Sequence, residues 1–330
     1  MKKITVGIFL ILALASCRDV VGPATGDTPE GSCIVWFNGL SANASAYFEK
    51  SDSLVTNAWS TGSAPNQIVG LGNNEFAVLS SLSAEIRFFS SGNTGSTIGS
   101  VLFPEGSNPW SFSVSDGAGY AALLLTDCVA VFDAASFQFT GTIPTSPNPS
   151  GIACSGNRLF VGHANWPESS SSGGVSVISI DSGELINWID TGVNTHWLKL
   201  QPSGMLHCYS TTYPDKDGRI TIINPESLSI EAVILCDGAP GEGVPAGNAF
   251  LSPDGWGNGG LIKYSESGDF SRIDLSFAPT GLALRENTIY ATSFGANKVY
   301  MLDAESFSLL DSLQAGGEGP QGIIAIDPTN

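Results

Sequence analysis

Pro149-Ser150-Gly151-Ile152-Ala153, the core of NPSGI at 148–152, is a stretch that returns down the chain. It recurs as Pro279-Thr280-Gly281-Leu282-Ala283 and as Pro320-Gln321-Gly322-Ile323-Ile324, and Pro245-Ala246-Gly247-Asn248-Ala249 fits the same frame. Pro65-Asn66-Gln67-Ile68 and Pro109-Trp110-Ser111-Phe112 are looser copies, the second inside NPWSF, whose Asn-Pro pair lies 40 residues before that of NPSGI. Thr195-His196-Trp197-Leu198 fills the remaining slot, with His196 where the others have Pro. Anchors at 65, 109, 149, 196, 245, 279 and 320 are spaced 44, 40, 47, 49, 34 and 41 residues apart. Seven such anchors are poorly explained by chance, and a period of about 40–45 residues points to a propeller-type array.

Each unit repeats a strand pattern. A short apolar strand follows the Pro, then a turn such as Asp116-Gly117, Gly156-Asn157 or Glu286-Asn287. A second strand reads GYAALLL, RLFVGH, MLHCYS or TIYATS, and a third alternates, as in VAVFD, VSVISID, ITIIN and VYMLD. A fourth reads FQFTGTI, LINWIDT, SIEAVIL or FSLLDSL. Period-two alternation bounded by turn residues is the strand signal, and four antiparallel strands make one blade. The predicted fold is all-β, a seven-bladed β-propeller of four-stranded antiparallel blades. The last unit stops after the single strand GIIAID, so the strands CIVWFN, ASAYFEK and SLVTNAW near the chain start are expected to complete the seventh blade. The unit from Pro245 is the weak point. LSPDGWGNGGLIKYS leaves little room for a second strand, so a degenerate blade or a six-blade count is the alternative.

The repeat VAVFD, AASFQFTGTI, NPSGIA, GNRLFVGH resembles the YVTN/YncE-type seven-bladed propellers, over about residues 33–327. That resemblance implies the fold and little about function. The family is similar to envelope binding proteins, some of which look like corrinoid-capturing partners of outer-membrane transporters, and to lactonase-like enzymes. Fold-level likeness does not choose among them.

The N-terminus, MKKITVGIFLILALASC, has Lys2 and Lys3 ahead of an apolar run from Ile4 to Ala15, which is shorter than the ~20 residues that span a bilayer. Leu14-Ala15-Ser16-Cys17 resembles the lipobox of bacterial lipoproteins, which implies acylation of Cys17 and removal of residues 1–16. The expected organisation is a signal peptide over 1–16, a lipidated tether over 17–32 and one propeller domain over 33–330. The expected address is the bacterial cell envelope, with the outer membrane or cell surface favoured over the inner membrane, and the anchor is lipid rather than a transmembrane helix.

The 330 residues carry 13 basic and 31 acidic side chains, a net charge of −18, with only 13% charged residues against 42% hydrophobic. After removal of residues 1–16 the balance is 11 against 31. An acidic surface repels phosphate backbones and argues against general nucleic-acid binding. Five cysteines remain, Cys33, Cys128, Cys154, Cys208 and Cys236, with no CxxC spacing. Cys208 with Cys236, in one repeat, is the pairing expected first if any disulfide forms, and five buried thiols is the competing expectation.

In a propeller the loop into each innermost strand and the loop out of each second strand share one face. That face is the expected site. Its candidate ligand-binding residues are Asn66, Trp110, His163, Asn165, Trp166, His196, Trp197, Tyr209, Tyr213, Phe294 and Gln321, an aromatic and amidic set suited to a planar or sugar-like ligand. His163 and His196, with Asp127 as base, form the alternative catalytic set of a lactonase-like hydrolase. Asp215 and Asp217 resemble half of a calcium loop that lacks its final Glu, so calcium is a minor expectation and no other cofactor is expected. No GxSxG, HExxH or phosphate-binding loop is present. The leading expectation is a monomeric, non-enzymatic binding lipoprotein for a small molecule such as a corrinoid, a glycan or an envelope protein. A structural scaffold of envelope complexes is the third reading.

Overall fold

The periodic anchors become a ring. The computed structural model describes residues 31–164, 173–212 and 215–327. Among these, 28 strands form seven separate four-stranded antiparallel sheets, and one 3-10 turn at Glu49–Ser51 is the only helical element. Blade 1 covers residues 65–102, blade 2 109–144, blade 3 149–189, blade 4 195–235, blade 5 244–273 and blade 6 281–314. Blade 7 joins Pro320–Ile326 to Cys33–Asn38, Asn43–Phe48 and Ser53–Ser60. The chain is a seven-bladed β-propeller, and its first strands complete the last blade as the sequence predicts. Cys33 pairs with Ile326 and Asn38 with Pro320, so the first and last described strands pair and leave no open sheet edge between first and last units.

Burial explains the strand sequences. The second strand of a blade is covered by neighbours on both faces, so RLFVGH and LHCYST read as almost unbroken buried runs. The outermost strands face water, and LINWI and LLDSLQ are mostly exposed. The core is divided into seven apolar layers, each lying between adjacent blades. Between blades 7 and 1, for example, Trp59 meets Phe76 edge-on at 5.0 Å and Phe76 stacks on Phe89 at 5.2 Å.

The Pro-x-Gly motif is the joint between blades. A register shift follows Pro65, Pro109 and Pro149, and a similar one follows Thr195. Such a bulge turns the next residue out of the ladder. The residue after the anchor reaches the next blade: Ser150 Oγ donates to the Thr195 carbonyl at 3.0 Å and Asn66 Nδ2 to the Trp110 carbonyl at 2.6 Å, and in blade 6, which has no such shift, Thr280 Oγ1 donates to the Pro320 carbonyl at 2.9 Å. The glycine that follows admits the neighbour. A Cβ on Gly151 would meet Leu198, and one on Gly281 would strike the Gln321 carbonyl.

Two expectations are corrected. Blade 5 is complete, with strands Val244–Ala246, Ala249–Pro253, Leu261–Tyr264 and Phe270–Ile273, so the six-blade alternative falls. Its strands are short, and Asp254, fully buried, ties the GWGNGG loop that joins two of them. Asp254 accepts from Ala239 N at 2.6 Å and Asn258 N at 3.0 Å and is ion-paired with Arg272. Cys208 and Cys236 do not pair: all five described cysteines are free thiols. The two lie on opposite sides of blade 4, Cys208 in the layer shared with blade 3 and Cys236 in the layer shared with blade 5, and a disulfide cannot cross a sheet.

Candidate functional site

One end of the ring gathers the starts of the innermost strands and the ends of the second strands. Pro149 lies opposite His163, Gly281 opposite Thr292 and Pro320 opposite Asn38. Cys33, where the described chain enters blade 7, lies at the other end. From the first face a cavity of about 1090 Å³ follows the central channel. Its polar lining includes Asn66, Gln67, His196, Lys199, Glu242 and Gln321, with Glu75 at the opposite end, and Trp197 and Trp256 form an aromatic wall. It also reaches between blades 1 and 2, along Phe88, Ala134 and Phe137.

The geometry is built strand by strand. Trp197 and Lys199 are two residues apart on the first strand of blade 4 and so share a side. Trp197 packs on Trp110 of blade 2 with ring centroids 6.3 Å apart. Trp110 Nε1 is buried without a hydrogen-bond partner. His196 Nδ1 meets the Asn194 carbonyl at 3.0 Å. With the ring donating from Nδ1, Nε2 is an acceptor. Burial lowers the His196 pKa, so the ring is neutral near pH 7. Gln67 spans the channel: its Oε1 accepts from Phe112 N at 2.7 Å, and its Nε2 points to Glu242 Oε1 at 3.4 Å, on the approach to blade 5. Burial raises the Glu242 carboxyl, against the opposing pull of Lys199 and Gln67.

Of the residues expected from sequence, Asn66, His196, Trp197 and Gln321 line the cavity, and Trp110 backs it. Phe294 is half-buried on the same face and lies 5.1 Å from the Trp256 ring. His163 is placed elsewhere. It is buried under Trp188, and its two ring nitrogens meet the Pro147 carbonyl at 2.9 Å and Ser176 Oγ at 2.7 Å. Asp127 caps the turn into blade 3, accepting from Asn148 N at 2.9 Å. Tyr209 is a correction: it is fully buried between blades 4 and 5, its hydroxyl 2.8 Å from that of Tyr264. It sits two residues inside the end of its strand, and alternation turns its ring into the core. Asp215 and Asp217 are exposed, and among the described residues no three His, Cys, Asp or Glu side chains converge as metal ligands. Asn165, Trp166, Tyr213 and Cys17 lie outside the described residues.

Sequence reasoning missed Gln67, Lys199, Glu242 and Trp256. Lys199 was within reach, because period two places it beside Trp197. Glu242 belongs to the irregular GAPGEG segment, where no periodicity marks a facing direction.

The face also carries a repeated apolar projection. The loops between second and third strands of blades 7, 1 and 2 hold Leu40, Leu82 and Leu125 at equivalent positions, 53%, 69% and 51% exposed. Each stands two residues before a left-handed residue, Ala42, Ala84 or Asp127. Phe294 and Leu40 both close over Gly319, and Trp256 extends the apolar sector to blade 5.

No protein-family model and no curated protein matches the chain. Solved structures do. A functionally unknown protein from Desulfotomaculum acetoxidans superposes with a TM-score of 0.71 at 13% identity, over 90% of this chain and 99% of that one. A proposed 6-phosphogluconolactonase from Bacteroides fragilis gives 0.68 at 11%, over 92% and 100%. Apo AztD from Citrobacter koseri gives 0.61 at 13%, over 90% and 98%. At these identities the likeness establishes the propeller fold alone.

Proposed function

We propose that this propeller is a binding module of the bacterial cell envelope, anchored through Cys17, that takes a small ligand in the mouth of its central channel. One observation carries the reading. Asn66, Gln67, His196, Trp197, Lys199 and Glu242, drawn from blades 1 and 4 and the approach to blade 5, converge on a single cavity. Its volume suits a ligand of drug or cofactor size, and an aromatic wall with a few placed polar groups is the usual make-up of such sites. Trp110 packs on Trp197 and backs that wall. A tether over residues 17–32 would join the ring at the opposite end, leaving this mouth directed away from the membrane. The hydrolase alternative is weakened because His163 is committed to Pro147 and Ser176, which leaves His196 without its expected partner.

The test is a thermal-shift panel on the full chain in detergent, with corrinoids, haem, oligosaccharides, lactones, peptides, free amino acids, and calcium against EDTA. A ligand at about 100 times its dissociation constant adds about 2.7 kcal/mol. One class is expected to raise Tm, and Trp197→Ala to abolish that rise. A flat response to every class would sink the reading.

A second reading, capture of an envelope protein, is favoured by the leucine rim. Three like apolar tips on neighbouring blades are more than scattered surface leucines require.

A further inference from the structure

Three charged side chains line the channel: Glu75, exposed at the end opposite the candidate face, and Lys199 and Glu242, which form no ion pair with each other. Among the described residues Lys199 forms no ion pair. Among the described residues the Glu242 carboxylate has one hydrogen-bond contact, the Gln67 amide at 3.4 Å, beyond the usual length of a good hydrogen bond. The Lys199 charge pulls the Glu242 carboxyl down against the effect of burial, and no ion pair joins the two among the described residues. Both are half-buried, so each keeps only part of its hydration and lacks a close partner of opposite charge, and both line the cavity that Trp197 walls.

Ligand charge decides what fits. A simple anion would meet Lys199 but also Glu242 and a chain of net charge −18. A simple cation would leave Lys199 unpaired, and a neutral sugar would leave both charges unpaired. A ligand with one positive and one negative group satisfies both and is indifferent to the overall field. We infer that the channel binds a zwitterion of the amino-acid class, with Glu242 receiving its ammonium, Lys199 its carboxylate, and Trp197 packing against an apolar side chain. This rests on the channel being the binding site, as proposed above, and goes further by naming the ligand class.

The test is calorimetric titration of the full chain with L-phenylalanine, phenethylamine and 3-phenylpropanoate, which share the ring and differ in charge. L-phenylalanine is expected to bind, and each singly charged analogue to bind about tenfold more weakly or worse, the loss expected for a missing charge-assisted hydrogen bond. Lys199→Met should weaken L-phenylalanine without weakening phenethylamine, whose like-charge repulsion it removes. Glu242→Gln should weaken L-phenylalanine without weakening 3-phenylpropanoate, for the same reason. Equal affinity for the three compounds, or indifference of L-phenylalanine to both substitutions, overturns the inference. The analogue series decides the matter even where a variant fails to fold. Absence of L-phenylalanine binding at millimolar concentration also overturns it. If another class in the thermal-shift panel still binds, the channel reading survives that failure, and if none does, both fall.

Discussion

At the scale of single residues, the repeat is a record of where blades touch. Ser150 and Thr280 hold the same position and make the same bond to the next blade, and the glycine after each is small because a neighbour's main chain lies against it. Gly281→Ala is therefore expected to cost about 1–3 kcal/mol, since the added methyl meets the Gln321 carbonyl, which cannot rotate away. Gly141→Ala, in an outer strand with open space around it, should be neutral or stabilising by about 0.5 kcal/mol. Urea midpoints of the two variants check this, and equal midpoints would mean that the motif glycine answers to something other than close approach. This explains why the fold was legible in the sequence: every blade must meet its neighbour, so the contact residues recur. The channel residues were legible only in part. Asn66, Trp197 and Gln321 sit inside the repeated frame, whereas Glu242 reaches the channel from an unrepeated loop, and its place depends on ring radius and on Gln67 opposite.

At the scale of the element, blade 5 shows how a short unit remains a blade. Its four strands have three to five residues each, too few for ladder hydrogen bonds and apolar area to match the other blades. Asp254 compensates by accepting two backbone N–H groups and pairing with Arg272, whose guanidinium also holds the Asp237 and Gly259 carbonyls. The weak sequence signal for this unit follows directly: a carboxylate network does the work that strand periodicity does elsewhere, and networks leave no period. Asp254→Ala strands the guanidinium and two amide donors. Because Arg272 keeps some solvent access, the loss is expected near the lower end for a broken buried pair, about 3 kcal/mol. Hydrogen exchange should accelerate first across residues 237–273. Acceleration spread evenly around the ring would show instead that blade 5 has no local stability of its own to lose.

At the scale of the whole molecule, closure makes the blades interdependent. The strand Pro320–Ile326 is held by Cys33–Asn38, Trp36 Nε1 bonds the Ala315 carbonyl at 2.9 Å, and Arg285 joins Glu49 and Asp327 across the seam. Buried charge inside the ring costs stability, and the three histidines become such charges only when protonated. His163, His196 and His207 all have pKa values lowered by burial. His207 is the deepest, fully buried between Tyr264 at 2.9 Å and Glu266 at 3.1 Å, and burial outweighs the favourable pull of Glu266. The sign follows from proton counts. Below the ordinary histidine value of 6.5 the unfolded chain binds protons that the folded chain refuses, so stability is whole above pH 6.5 and drains as pH falls toward the folded-state values. Glu242 acts in the opposite sense: its raised carboxyl favours the folded state at low pH and ceases to do so as pH rises through its folded value. With three groups against one, the urea midpoint is expected to fall between pH 7 and pH 5. His207→Gln should flatten that fall whatever it does to stability at pH 7, because the slope depends only on groups that titrate. An unchanged slope in the variant would assign the acid sensitivity to His163 and His196, and a midpoint rising toward pH 5 would make Glu242 the dominant group.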